Sequence, residues 1–153
     1  MTPPQRIKPL LLEACEAHVQ SRWEHVQKRI NAIIGSLSEA TKSSAGDKHE
    51  TSRAMLQLDR EHLGNQLKEI EKMQSMLQRI DVNTTSTKAR RGSLVITEKA
   101  SYFISVSIGA VTIEGATYFC LSSSAPMGQA LLGKAEGQTI TFNGVSQQIV
   151  RLL

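Results

Sequence analysis

The sequence is poor in aromatic residues, in cysteine and in long hydrophobic runs. Aromatic residues make up only 4% of the 153 residues, which argues against a module that binds RNA by stacking bases on aromatic side chains. The two cysteines, Cys15 and Cys120, lie in different segments without the spacing of a metal site, so we expect two reduced thiols. No apolar run is long enough to cross a bilayer. The N-terminal residues lack the apolar core and cleavage site of a signal peptide. We therefore expect a cytoplasmic protein.

The net charge is a modest +4, and all of the basic excess falls before Gly92. An excess of this size is compatible with an anionic partner such as nucleic acid. It is equally compatible with a solvated surface that happens to be basic. Charge therefore does not choose between functions.

The first half of the chain shows a seven-residue hydrophobic repeat, which is typical of a coiled coil. Over residues 10–40, two rows of apolar residues lie four positions apart and form one stripe on a helix. Pro9 is expected at the start of this helix, because proline breaks a helix interior. The two rows contain Leu12, Val19, Val26, Ile33 and Ala40, and Trp23, Ile30 and Leu37.

A second helix with the same repeat is predicted over residues 47–80. The short polar loop 41–46 joins the two helices, so they must fold back as an antiparallel pair. About 30 residues per helix correspond to about 45–50 Å at 1.5 Å per residue. We therefore predict a hairpin domain over 1–80 with its tip at 41–50. The rows of the second helix contain Leu56, Leu63, Ile70 and Leu77, and Leu67, Met73 and Ile80.

The remainder of the chain changes character. Residues 81–91 lack periodicity and read as a basic linker, and residues 92–153 read as a small β-rich domain. A short helix is predicted in Ser124–Lys134, started at Ser124 before Pro126 and stopped by Gly133. The fold class is therefore α+β. The predicted strands, rich in β-branched and aromatic residues and punctuated by glycines and Asn143-Gly144, are 93–97, 102–108, 117–121, 139–142 and 147–152.

Two short stretches of this chain carry residues at the same spacing as two motifs of a known family. Residues 46–52 read Gly-Asp-Lys-His-Glu-Thr-Ser, and residues 124–134 read Ser-Ala-Pro-Met-Gly-Gln-Ala-Leu-Leu-Gly-Lys, with Gly137 following. They resemble the tip pattern Gly-Asp-x-x-Glu-Asn-Ala and the C-terminal signature Ser-Pro-x-Gly-x-Ala-Leu-x-Gly-Lys…Gly-Asp of the bacterial Gre-type transcript-cleavage factors (GreA/GreB-like elongation factors). This chain departs from those patterns at Thr51-Ser52, Ala54, Ala125, Gln138 and 33–35, where the family's Arg-Pro element is absent.

The resemblance implies a long antiparallel coiled-coil hairpin followed by a small FKBP-like domain with one short helix. It also implies a transcription elongation factor that enters the secondary channel of RNA polymerase and stimulates cleavage of backtracked RNA. The protein would not be an enzyme itself. Asp47 and Glu50 would be the catalytic and metal-binding residues. They would help to hold a second Mg²⁺ that belongs to the polymerase active site and is not stably bound by the free protein.

The same resemblance assigns partners to other residues. RNA polymerase and the RNA 3′ end of a backtracked complex would be the partners of a protein that is monomeric when free. Polymerase or RNA contacts would come from Lys42, Lys48, Arg53 and Arg60. The C-terminal domain would dock on polymerase through Pro126, Met127 and Gly128. Prolyl isomerase activity is not expected, since the few aromatic residues offer little from which to build an apolar proline pocket.

Several alternatives stay open at this point. Asp47 and Glu50 are also spaced as a helix-capping pair, and the nearby basic residues could simply keep the helix surface soluble. The departures from the family pattern leave room for a Gre-like secondary-channel regulator or inhibitor that does not promote cleavage. A coiled-coil scaffold unrelated to polymerase is a third hypothesis, which the C-terminal signature disfavours.

Overall fold

The predicted α+β class is confirmed: two long helices precede a six-stranded mixed sheet with one short helix. The structure is a computed structural model that describes residues 4–42 and 47–153, with side chains described for 5–39 and 50–153. The elements are α1 (Pro4–Lys42), α2 (Asp47–Gln78), β1 (Leu94–Thr97), β2 (Ser101–Ser105), β3 (Gly109–Ile113), β4 (Ala116–Ser122), α3 (Pro126–Leu131), β5 (Thr139–Phe142) and β6 (Val145–Leu152).

The chain divides into two compact units. The helical unit is Val19–Gln74, and the sheet unit combines Met1–His18 with Ser75–Leu153. The helical unit therefore contains most of α1 and of α2, while the sheet unit contains the first part of α1 and the last residues of α2. The boundaries predicted from the sequence, at 80 and 92, stay a prediction.

The two helices of the helical unit run antiparallel and bury the predicted stripe. The amide of Gln74 donates to Gln20 at 3.3 Å, and the guanidinium of Arg22 donates to the sulfur of Met73 at 3.8 Å. Successive residues along α1 thus contact successively earlier residues along α2, as expected for an antiparallel pair. The seven-residue rows are confirmed here for their described members, which are buried (Val19, Val26, Ile30, Leu63 and Ile70) or half-buried (Trp23, Ile33, Leu37, Leu56, Leu67 and Met73). The side chain of Ala40 lies outside the described residues.

The predicted start of the first helix near residue 10 is wrong. Helix α1 begins at Pro4, and Pro9 lies inside it on an exposed face. Proline lacks an N–H, so it forfeits one helical hydrogen bond, but this early in a helix the preceding N–H groups have no helical partner either. Burial of Ile7, Leu11 and Cys15, spaced four apart within the sheet unit, stabilises the additional turns.

The sheet has the strand order β3-β4-β2-β1-β6-β5. All neighbours are antiparallel except β2 and β4, which are parallel. Strand β3 is absent from the predicted strands, because Gly109, directly after the predicted strand 102–108, is typical of a turn. It forms an edge hairpin with β4 through the Glu114-Gly115 turn, where both residues have positive φ. The predicted Asn143-Gly144 turn is confirmed between β5 and β6, with φ of 52° and 76°.

The two faces of the sheet have different partners. On one face Phe103 and Cys120 pair side by side, and the thiol of Cys15 in α1 lies 3.5 Å from the hydroxyl of Ser105. Helix α1 therefore covers this face. The opposite face belongs to a core formed by Val95, Ile104, Leu131, Ile140 and Ile149, with Ala89, Leu152 and four half-buried residues around it.

Residues 81–91 are hydrogen-bonded into the sheet unit. The backbone of Ala89 exchanges two hydrogen bonds with the segment after α3, donating to Lys134 O at 2.7 Å and accepting from Gly133 N at 2.8 Å. The carbonyl of Thr84 accepts from the ammonium of Lys8 at 3.1 Å. This segment is thus tied both to α1 and to the loop that follows α3.

Candidate functional site

The predicted tip carboxylates lie in the first turn of α2, which begins at Asp47. Three positions separate Asp47 from Glu50, and residues at this spacing are neighbours on one side of a helix. Glu50 is exposed, so its carboxylate is accessible to a partner. The side chain of Asp47 and residues 43–46 lie outside the described residues. Both the metal-binding and the capping roles of the pair therefore stay predictions.

Two of the four predicted basic contact residues can be placed. Arg53 and Arg60 are both exposed on α2, and no described carboxylate lies within ion-pair distance of either. At 100° per residue, Glu50, Arg53 and Arg60 fall within about 80° of one another around the helix. The side chains of Lys42 and Lys48 lie outside the described residues. Helix α2 thus carries two accessible cations on the flank that also carries Glu50.

Sequence reasoning missed a pair of exposed apolar residues near the same end of α2. Met55 is 62% exposed and Leu58 is 65% exposed. They are three positions apart and lie off the seven-residue rows, which is the signal that could have identified them. Large apolar side chains left in solvent on a helix are suited to contact with another protein.

Within the described side chains, no group of three or more histidine, cysteine, aspartate or glutamate residues is arranged to hold a metal ion. Since Asp47 lies outside that set, this finding does not bear on the tip. A pair of carboxylates would in any case supply only part of the oxygen ligands that Mg²⁺ requires.

The predicted docking residues of the C-terminal signature have three different environments. Pro126 is exposed at the start of α3, Met127 is half-buried, and Gly128 is buried. A Cβ atom on Gly128 would lie 2.1 Å from the carbonyl oxygen of Ser122 and 3.1 Å from the Cα of Ser123. The glycine therefore permits the close approach of α3 to the end of β4 rather than offering a contact surface.

The predicted ends of this short helix are half right. The N-cap residue is Ala125, which has no side chain to cap the helix. The prediction of a start at Ser124 is wrong, because the hydroxyl of Ser124 instead pairs with that of Ser122 at 2.8 Å. Gly133 has φ of +78° directly after the C-cap Leu132, so its predicted role as the stop is confirmed.

Beside α3, the sheet unit contains an apolar groove of about 620 Å³. Three of the six aromatic residues of the chain contribute to its wall. The sheet thus gathers aromatic residues that are scattered in the sequence, while the expected lack of a proline pocket and of prolyl isomerase activity stays a prediction. The side chains that line the groove include Tyr102, Phe119, Met127, Phe142, Val145 and Gln147.

The two cysteines form a buried contact between α1 and β4. Both are free thiols, 0% and 2% exposed. The hydrogen bond with Cys120 lowers the pKa of the Cys15 thiol, and the same interaction together with burial raises the pKa of Cys120. The two side chains therefore pack α1 against β4, and their reduced state stays a prediction.

A buried lysine lies in the first turns of α1, within the sheet unit. Lys8 is 3% exposed and donates to the carbonyl of Thr84. Burial lowers the pKa of Lys8, and repulsion by Arg90 lowers it further, while the nearby Asp81 acts in the opposite direction. The site therefore disfavours the charged form of the lysine.

No helix in the described ranges, 4–42 and 47–153, is long and apolar enough to cross a membrane.

The molecule is thus an α+β protein in which an antiparallel helix pair precedes a sheet unit with an apolar groove. No family model matches the chain, and no curated protein matches it either. The solved structure of the transcription factor Gfh1 is similar to this chain, with a TM-score of 0.36 and 16% sequence identity over 90% of this chain and 92% of that one. A likeness at this level establishes neither a family nor a function.

Proposed function

We propose that this protein is a Gre-type transcription elongation factor that inserts its helical tip into the secondary channel of RNA polymerase and stimulates cleavage of backtracked RNA. The observation that carries the proposal is the position of Asp47 and Glu50. Both lie in the first turn of α2, next to the reversal between two antiparallel helices. The C-terminal signature around α3 supports the same family by independent residues.

The chemistry proposed for the tip is the supply of hard oxygen ligands. Cleavage of RNA by two metal ions requires a second Mg²⁺ and an attacking water, and Mg²⁺ prefers carboxylate and water oxygens. The polymerase would supply the active site, and Asp47 and Glu50 would add ligands when the tip enters. Arg53 and Arg60, exposed on the same flank as Glu50, would contact phosphates of the RNA or the channel wall.

The contacts that hold the factor on polymerase would come from two places. Met55 and Leu58 expose large apolar surface on α2, which would pack against the partner protein. In the sheet unit, Pro126 and Met127 are accessible, whereas Gly128 is buried. The contribution of Gly128 to docking would therefore be indirect, through the position of α3.

The test is a cleavage assay on backtracked complexes of the cognate polymerase. Asp47→Asn and Glu50→Gln should each abolish most of the stimulation, because they remove the charge that a metal requires and keep the size of the side chain. Asn is as good an N-cap as Asp, so folding should not change. Asp59→Asn and Glu61→Gln are matched controls, since both are exposed acids further along α2. They should stimulate like the unmodified chain.

A second function, a secondary-channel regulator that does not promote cleavage, is favoured by Thr51-Ser52 and Ala54, which replace residues of the family pattern. It predicts polymerase binding without stimulation at any Mg²⁺ concentration. If the chain fails to bind its polymerase at all, both functions are refuted. If Asp47→Asn stimulates as well as the unmodified protein, the metal-binding role of the tip is refuted.

A further inference from the structure

The apolar groove of the sheet unit has the dimensions and lining of a ligand site. Its volume of about 620 Å³ lies within the range of about 300–1,000 Å³ typical of small-molecule pockets. The rings of Tyr102 and Phe119, 6.1 Å apart and tilted by 34°, form one wall. Met127, Phe142 and Val145 continue the apolar lining. Among the residues that the structure describes, none that lines the groove is charged, so an ionic ligand would lose its hydration without compensation.

One buried polar group lines this groove with hydrogen-bonding capacity to spare. Gln147 is only 5% exposed. Its side-chain oxygen accepts from the hydroxyls of Thr97 at 2.5 Å and Tyr102 at 3.2 Å. No described acceptor bonds its side-chain amide nitrogen Nε2, and because no buried side-chain nitrogen or oxygen among the described residues lacks a partner, this nitrogen is reached by solvent. The groove is therefore the place where an acceptor can reach these N–H groups.

The polar complement of the groove limits the kind of ligand. A carbonyl oxygen at the amide of Gln147 would replace water at the side-chain nitrogen, which has no described acceptor. The remaining polar lining side chains, Ser107 and Asn143, are exposed, so they remain accessible to water. An extended peptide would bring several further polar groups against the apolar wall, where they would be left unpaired. A molecule with one acceptor and an apolar body fits this lining better.

We propose that the groove binds an uncharged, mainly apolar small molecule, with an aromatic or branched-alkyl body and a single carbonyl-type acceptor that Gln147 recognises. The site is separate from the tip carboxylates, and its binding can be measured on the protein without polymerase. Its failure and the failure of the proposed function are therefore distinguishable.

The experiment titrates the full chain with 1-phenylbutan-2-one and with butylbenzene, which share a carbon skeleton and differ by the carbonyl. Binding is followed by NMR shifts of the methyl groups of Met127 and Val145. Both probes should move these signals, and the ketone should bind about tenfold more tightly, which corresponds to one hydrogen bond. Gln147→Glu keeps an oxygen for Thr97 and Tyr102 but removes the donor. It should abolish the preference for the ketone.

A pair of valines on β6 tests the location. Val145 lines the groove and is 43% exposed, whereas Val150 is 55% exposed on the same strand and does not line it. Val145→Lys should weaken binding of both probes at least tenfold, and Val150→Lys should leave it unchanged. Equal effects of Val145→Lys and Val150→Lys on binding, or equal affinity for ketone and hydrocarbon, would overturn the proposal. Tighter binding of an uncharged acetylated tripeptide amide than of the ketone would also overturn it, in favour of a peptide site.

Discussion

Replacement of glycine by alanine should have opposite effects at two positions of this chain. Gly128 is packed against backbone, since an added Cβ would lie 2.1 Å from the carbonyl oxygen of Ser122. Non-bonded carbon and oxygen atoms rarely approach closer than about 3.3 Å, so α3 would have to move by about 1 Å. Gly64 is inside α2 and has nothing within 4 Å of the added atom. There alanine relieves only the entropic cost of glycine in a helix.

The structure gives the size of each effect. At Gly128 the clash is with backbone, which cannot rotate away, and moving α3 would also strain the bond from Leu132 N to Gly128 O at 3.0 Å. Overpacking of this kind costs typically about 1–3 kcal/mol, and we expect Gly128→Ala to be near the upper end. Gly64→Ala should stabilise by about 0.5–1 kcal/mol.

The assay is thermal unfolding followed by circular dichroism, with urea unfolding to obtain free energies. For a chain of this size, 1 kcal/mol corresponds to about 2–4 °C in Tm. Gly128→Ala should therefore lower Tm by about 6–12 °C, and Gly64→Ala should raise it by about 1–4 °C. A Gly128→Ala protein as stable as the unmodified chain would refute the argument that this glycine is required by the packing of α3 on β4.

Three further predictions concern burial. Ile70→Ala should lower the free energy of unfolding by about 3 kcal/mol, because Ile70 is fully buried in the helical unit. Leu58→Ala on the exposed face should change the free energy of unfolding by less than about 0.5 kcal/mol. If Ile70→Ala and Leu58→Ala lose similar free energy in urea unfolding, the burial of Ile70 between the two helices is contradicted. Folding lowers the pKa of Lys8, so the charged lysine destabilises the folded protein most at pH values below its folded-state pKa. This destabilisation disappears as the pH rises toward 10.5, the ordinary pKa of lysine. The stability of the unmodified chain relative to Lys8→Met should therefore increase between pH 7 and pH 10, and no change would contradict the burial of that charge. Cys15 and Cys120 should react with a thiol reagent only as fast as the protein unfolds, whereas rapid labelling of the folded protein would show that they are accessible.

The sequence by itself determined the helical unit and most of the strands. When a short loop joins two helices that each carry a seven-residue apolar repeat, the two apolar stripes are buried against each other. Val26, Ile30, Leu63 and Ile70 could therefore be assigned to the contact between the helices without a structure. The Asn143-Gly144 turn was equally local, because these residues tolerate the positive φ that a tight hairpin needs. Local rules suffice where a repeat within one helix shows which face is buried, or where a two-residue turn determines which strands pair.

Tertiary structure decided the features that depend on distant partners. Pro9 lies inside α1 because the residues around it are buried within the sheet unit, which no local rule on proline can anticipate. Strand β3 forms at an exposed edge through pairing with β4, although its sequence is weak. The groove exists because the sheet brings together Tyr102, Phe119 and Gln147, which no spacing along the chain connects. Gln147 is buried with its side-chain oxygen bonded to the hydroxyls of Thr97 and Tyr102, and that environment depends on the packed neighbours rather than on the residue alone.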